Sequence, residues 1–258
     1  MLGRATGAVY VDSDTAISNE PLRSQRKRIA LSDTIIFDVD GTLVDSNYQH
    51  TLAWYRALRR SGITVPIWRI HRTIGMGGDK LIAEVAGPSA ENARGAEIRA
   101  AWEEEFELLI DEIQPLPGAH ELLVETKRRG FQIVLASSGK AAHVERSLDL
   151  IDARGLADAW TTSEDASDSK PAPDLVDTAL KKVSRSSGVM IGDSTWDVIA
   201  AGRLDVKTIA LLTGGSSRAE LSEAGAIAVF DSPQDLLDHL DITPLHHPSD
   251  GVGRTVQT

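Results

Sequence analysis

The readable part of the chain opens with Thr34-Ile35-Ile36-Phe37, a short apolar, β-branched run that ends at Asp38 and then Gly41. Such a run predicts a buried strand feeding a loop. Beyond it the period changes. Leu52, Ala53, Tyr55 and Leu58 recur at helical spacing, with Asp45 and Ser46 placed as caps and Gly62 as a stop. Helical patterns follow at 66–73, 79–85 and 90–113, with no strand between them. From Pro117 onward helices and strands alternate. Helices are predicted at 119–129, 141–150, 174–182, 196–201, 217–224 and 234–240. Strands are predicted at 131–136, near Trp160, and at 189–191, 208–212 and 227–230.

This alternation implies an α/β fold, a Rossmann-like, doubly wound parallel sheet with helices on both faces. The opening strand belongs to the same sheet, so the core is expected to comprise residues 32–45 and 116–243. The helical stretch 46–115 is then an insertion, an all-helical cap domain. Residues 1–31 and 244–258 mix polar, Gly and Pro residues without periodicity and are expected to be disordered tails.

Composition narrows the chemistry. A hydrophobic share of 41% in 258 residues supplies an ordinary core. With no Cys, catalysis falls to oxygen and nitrogen groups. The formal charge of -11 opposes binding to nucleic acid or anionic membranes, so an anionic substrate needs a locally positive site. Apolar runs are strand-sized, and the patch at 8–11 is followed by Asp12 and Asp14 rather than a signal-type segment. A cytoplasmic protein is expected, as a monomer or homodimer.

Four sites fall at the C-terminal ends of predicted parallel strands, where side chains from distant parts of the chain converge. They are Asp38/Asp40, Ser137, Lys170 and Asp193/Asp197. In context these read Asp38-Val39-Asp40-Gly41-Thr42, Ser137 after an apolar strand, Lys170-Pro171-Ala172-Pro173-Asp174, and Gly192-Asp193-Ser194-Thr195-Trp196-Asp197. A calcium loop with Gly41 at its sixth position fails, because Ile36 and Asn47 would fall where carboxylates are required. In order and spacing the four strings resemble the motifs of the haloacid dehalogenase superfamily, over roughly residues 34–240.

The resemblance implies roles. Asp38 is the expected nucleophile, forming an aspartyl-phosphate, and Asp40 the acid and base; phosphatases and phosphomutases keep this second Asp, while dehalogenases and phosphonatases do not. Mg²⁺ is expected on the Asp38 side chain, the Asp40 backbone carbonyl and Asp193, with Asp197 supporting the metal through water or orienting Lys170. Ser137, with the backbone N–H groups of Ser138 and Gly139, is expected to bind phosphoryl oxygens, and Lys170 to neutralise their charge. Gly41 and Thr42 let the backbone turn close to the substrate.

In the helical stretch, His50 is expected to touch the substrate or assist the acid and base. The 71–80 segment is expected to face the substrate, with Gly77 and Gly78 permitting close approach and Arg72 and Lys80 meeting an anionic end. Trp54, Trp68 and Trp102 are placed in the core of the helical segment. The partner implied is a small phosphorylated metabolite, with 2-phosphoglycolate the first candidate. A β-phosphoglucomutase-like activity and a silent phospho-acceptor or scaffold stand as alternatives. The mutase reading is weakened because Gly75-Met76-Gly77-Gly78 stands where such mutases carry a phosphate-clamping Arg.

Overall fold

A computed structural model describes residues 33–165 and 168–245. Of the tails expected at 1–31 and 244–258, residues 1–31 and 246–258 lie outside the described residues, while Pro244 and Leu245 are described and Leu245 is fully buried.

The first strand, β1 (Thr34–Phe37), is followed by β2 (Val44–Asp45) and then by α1 (Asn47–Arg60), α2 (Ile67–His71), α3 (Gly78–Ala86) and α4 (Pro88–Glu107). After β3 (Gln114–Pro115) come α5 (Ala119–Arg128), β4 (Gln132–Ala136), α6 (Ala141–Leu150), β5 (Ala159–Thr161) and α7 (Asp174–Lys182). The remainder is β6 (Val189–Gly192), α8 (Thr195–Gly202), β7 (Lys207–Leu211), α9 (Arg218–Ala224), β8 (Ala228–Phe230) and α10 (Pro233–Asp238).

Six strands pair in parallel in the order β5-β4-β1-β6-β7-β8. Chain order reverses on either side of β1, which puts the ends of β1, β4 and β6 beside one crevice. In β1 the pleat sends Ile35 and Phe37 to one face, against Leu122 and Leu123 of α5, and Ile36 to the other, against Leu175 and Val176 of α7. Both faces are apolar, which is why the strand reads as an unbroken hydrophobic run. The fold class is therefore the expected α/β.

The four helices between β2 and β3 bury Trp54, Leu58, Ile70, Leu81, Ile82 and Ile98 in a cluster of their own. Several details depart from expectation. The pairing of β2 with β3, Val44 opposite Pro115 and Asp45 opposite Gln114, joins the two ends of the helical stretch and was not legible. Helix α4 stops at Glu107, and a 3₁₀ turn at Ile110–Glu112 follows. Trp68 is 65% exposed rather than in the core. In a helix of five residues Ile70 takes the inward position, and a residue two before it points nearly the opposite way.

Candidate active site

Each carboxylate is fixed by the element beneath it. Asp38 continues β1, its backbone N–H donating to Ile191 O of β6 at 2.9 Å. The chain then turns sharply: Gly41 adopts φ 77, and its N–H reaches Val44 O at 2.8 Å. A Cβ at Gly41 would overlap the side chains of Asn47 and Asp193, so glycine is required by both conformation and space.

Lys170 is the cation at the centre. Its Nζ lies 2.5 Å from Asp38 Oδ1 and 2.6 Å from Asp197 Oδ1, with the lysine 2% exposed. Asp197 is held from α8, where its Oδ2 accepts from Ser194 N at 3.1 Å and Ser194 Oγ at 2.6 Å in a capping box. Asp197 contacts Lys170 directly and also belongs to the buried acidic group. Asp193 accepts at both oxygens, from Thr42 Oγ1 at 3.1 Å and Asn47 Nδ2 at 2.8 Å.

Asp40 faces another way. Its Oδ1 accepts from Ser46 Oγ at 2.6 Å and lies 3.1 Å from His50 Nε2. Ser46 sits at the N-cap position of α1, as expected, but its hydroxyl serves Asp40 instead of the helix. His50 stacks on Phe106 with centroids 4.2 Å apart, which fixes its ring.

Electrostatics follow from this crowding. Burial, with the neighbouring charges of Asp197 and Asp193, pushes the Asp38 carboxyl well above its ordinary range despite Lys170. Burial and the Asp197 charge push Asp193 up to about 7, against the bonds from Asn47 and Thr42 and the charge of Lys170. Burial alone would discharge Lys170, but the charges of Asp197 and Asp38 outweigh it and hold the ammonium charged. For Asp40, burial is overcome by the charge and hydrogen bond of His50 and the bond from Ser46, which hold the carboxyl down at about 2.

Carboxylate oxygens of Asp38, Asp193 and Asp197 lie within 4.8 Å of one another, all buried. One ammonium among three acids leaves a surplus of negative charge, and hard oxygen donors suit a hard divalent cation such as Mg²⁺. Asn47 Oδ1 is buried and meets no donor among the described residues, and water carried by such a hydrated ion would supply one. The residues present therefore fit the ion. The side chain of Asp40 is not part of this acidic group.

A cavity of about 460 Å³ opens over these groups. Its core wall includes Asp38, Asp40, Ser138, Gly139, Lys170 and Asp193; its helical wall includes His50, Trp54, Gly77, Gly78, Arg99 and Trp102. Ser137 borders a smaller recess of about 30 Å³ behind Asp40, its Oγ accepting from Gly139 N at 3.0 Å. Thr42 is fully buried on Asp193 and does not line the cavity.

Two expectations fail. Arg72 does not face the cavity; its guanidinium pairs with Glu220 of α9, whose carboxyl is held down at about 2 by that bond and those from Ser217. Lys80 is likewise spent on Asp168 at 2.7 Å and Ser169 O at 2.6 Å. In both cases a carboxylate of the core pairs with the cation. Conversely, Asn47, Arg99, Glu103 and Lys140 line the cavity without having been anticipated, and Trp54 and Trp102 form a stacked pair in its wall, centroids 5.1 Å apart. The one signal for Asn47 was an amide opening the helix directly after the acidic loop.

A parallel sheet with a buried acid at a strand tip, a paired ammonium and a second acid two residues on is an α/β scaffold suited to group transfer through a carboxylate. The chain belongs to the haloacid dehalogenase-like hydrolases, whose family model matches residues 32–205. A hydrolase from Pseudomonas syringae of known crystal structure is 35% identical, with a TM-score of 0.76 over 81% of this chain and 98% of that one. Protein SUPPRESSOR OF QUENCHING 1, chloroplastic, from Arabidopsis thaliana is 29% identical over 250 residues, 88% of this chain; the chain spans only 23% of that relative's length. Validoxylamine A 7'-phosphate phosphatase from Streptomyces hygroscopicus subsp. limoneus is 27% identical over 74% of this chain and 91% of its own. Among the described residues no helix is long and apolar enough to cross a membrane.

Proposed function

We propose that this phosphoric monoester hydrolase passes the phosphoryl group of a small phosphorylated metabolite to Asp38 and then to water, with Mg²⁺ as its resident cation. The observation that carries the reading is the convergence of Asp38, Lys170, Asp193 and Asp197 at the tip of β1, with Asp40 beside them on the same loop.

In the first half, an Asp38 oxygen attacks phosphorus and the bond from phosphorus to the ester oxygen breaks. The departing alkoxide takes a proton held by the Asp40–His50 pair. In the second half Asp40 takes a proton from water, the water oxygen attacks phosphorus, and the bond to Asp38 breaks, restoring the carboxylate. Lys170 neutralises charge on the transferring group, Ser137 and the N–H groups of Ser138 and Gly139 receive its oxygens, and Gly41 leaves room for the loop. Asp38, Asp193 and Asp197 would hold the cation, the first two directly, and bound there it offsets repulsion between carboxylate and phosphate. The helical segment acts as the cap that excludes water, with His50, Gly77 and Gly78 on its substrate side.

At about 460 Å³ the cavity is large enough for 2-phosphoglycolate, the candidate suggested by resemblance, and for an ester bearing a ring. A second phosphate, which a mutase must grip, finds Arg99 already paired with Glu91 at 2.8 Å and Lys140 paired with Glu103. The test is phosphate release from a panel of metabolite esters and from para-nitrophenyl phosphate with Mg²⁺. Turnover is expected in the wild type and none in Asp38→Asn; undiminished turnover in that variant refutes the nucleophile.

A further inference from the structure

We infer that Asn47 is a positioning residue for the carboxylate of Asp193, and that through it the helical segment sets how tightly the core holds its cation. The inference rests on the reading above that Asp193 is a metal ligand.

Asn47 is the first residue of α1 and is 3% exposed. Its amide crosses from the helical segment to the core, donating to Asp193 Oδ2 at 2.8 Å, while Thr42 holds the other oxygen at 3.1 Å. A carboxylate bonded at both oxygens has a fixed plane, and outer partners of this kind typically govern metal affinity by orienting the ligand. The residue type is selective. A lysine in this place would repel the cation, and an aspartate would add to the crowd of buried acids; an amide donates without charge.

The backbone is built around this one bond. A Cβ on Gly41 would overlap both the Asn47 amide and the Asp193 carboxylate, and a Cβ on Gly214 would overlap Asp193 from another side. The carbonyl of Gly214 in turn accepts from His71 Nε2 at 3.1 Å, so α2 touches that second wall. The same turn of α1 that carries Asn47 also carries Ser46 and His50, the partners of Asp40. One helical turn therefore grips the acid/base and the metal carboxylate together.

The test is calorimetric titration of the full chain with Mg²⁺, comparing wild type with Asn47→Leu, which keeps the bulk and removes the donor, and with Asn47→Ala. Both variants are expected to melt near the wild-type temperature in metal-free buffer and to bind Mg²⁺ about 10- to 100-fold more weakly. Their kcat should return toward wild type as Mg²⁺ is raised, whereas a merely structural role would depress kcat at every Mg²⁺ concentration. If Asn47→Leu does not fold, Asn47→Ala decides. A folded variant whose Mg²⁺ affinity lies within about twofold of wild type overturns the inference. A wild type that binds no divalent cation overturns the functional reading instead, and this is known before any variant is made.

Discussion

His50 Nε2 lies 3.1 Å from Asp40 Oδ1, and the imidazole is clamped flat against Phe106. This pairing changes how the acid/base is to be understood. A carboxyl held at about 2 is ionised at neutral pH and carries no proton to give. His50 Nε2 is the ring nitrogen within hydrogen-bond reach of that carboxylate, so the proton delivered to the leaving group is assigned to the His50–Asp40 pair as a unit.

A dependence on the leaving group follows. Para-nitrophenolate departs without help, whereas a sugar or glycolate alkoxide needs a proton. Asp40→Asn is expected to lower kcat on alkyl esters by about 10²- to 10⁴-fold and on para-nitrophenyl phosphate by much less. His50→Gln should show the same asymmetry at smaller amplitude. Equal losses on both substrates would mean that His50 only shapes the pocket. Steady-state kinetics on the two ester classes decides.

Stability against pH offers a second check, in metal-free protein. Asp193 titrates near 7 in the fold and at about 4 when unfolded, so between those values the folded state binds the extra proton. Its contribution is present below about pH 4 and is lost as pH rises through about 7. Asp40 runs the other way: held at about 2, it stabilises above its ordinary range and loses that contribution only as pH falls through 2. The melting temperature of metal-free enzyme should therefore decline as pH rises from about 5 to about 8, and less steeply in Asp193→Asn. Mg²⁺ should stabilise most at the upper end, because the ion takes the place of the proton. A decline that is unchanged in Asp193→Asn would remove Asp193 as its source.

Arg72 supplies the sharpest contrast with expectation. It sits on the segment read as facing the substrate, yet its partner is Glu220, 148 positions away on α9. Arg72→Ala is accordingly expected to leave KM for simple phosphate esters within about twofold of wild type. Loss of an exposed ion pair has little effect on folding, so the melting temperature should barely move. A tenfold rise in KM would restore a substrate contact.

Why some of this was legible and some not has a physical basis. β1, β4 and β6 are buried on both faces, and their unbroken apolar runs mark both the strands and the strand tips where Asp38, Ser137 and Asp193 stand. Helices α6 and α7 have clear periodicity and fall at their predicted bounds. The β2–β3 pair is two residues on each side, too short for any period, and its partners are brought together only by the fold between them. The partners of Arg72, Lys80 and Asn47 are polar contacts across the chain, and a polar residue carries no periodicity that names its partner. The indoles of Trp54 and Trp102 show the limit from the other side: helical spacing told that they face inward, but not that inward includes a cavity wall.

Lys170 gives the last and most severe prediction. It lies between Asp38 and Asp197, both buried, with Asp193 close by. Removing one partner of a buried ion pair leaves uncompensated charge, a loss of about 3–5 kcal/mol. Lys170→Met, which keeps the aliphatic stem, should therefore abolish turnover and also destabilise metal-free protein by that order, increasingly as pH rises and Asp38 and Asp193 lose their protons. The double variant Lys170→Met/Asp38→Asn should recover part of the loss, because one of the stranded carboxylates is gone. Chemical denaturation of the two variants and of Asp38→Asn alone measures the coupling. Strictly additive effects would show that the ammonium and the nucleophile are independent in the fold, and the close ion pair between them would then hold no free energy of its own.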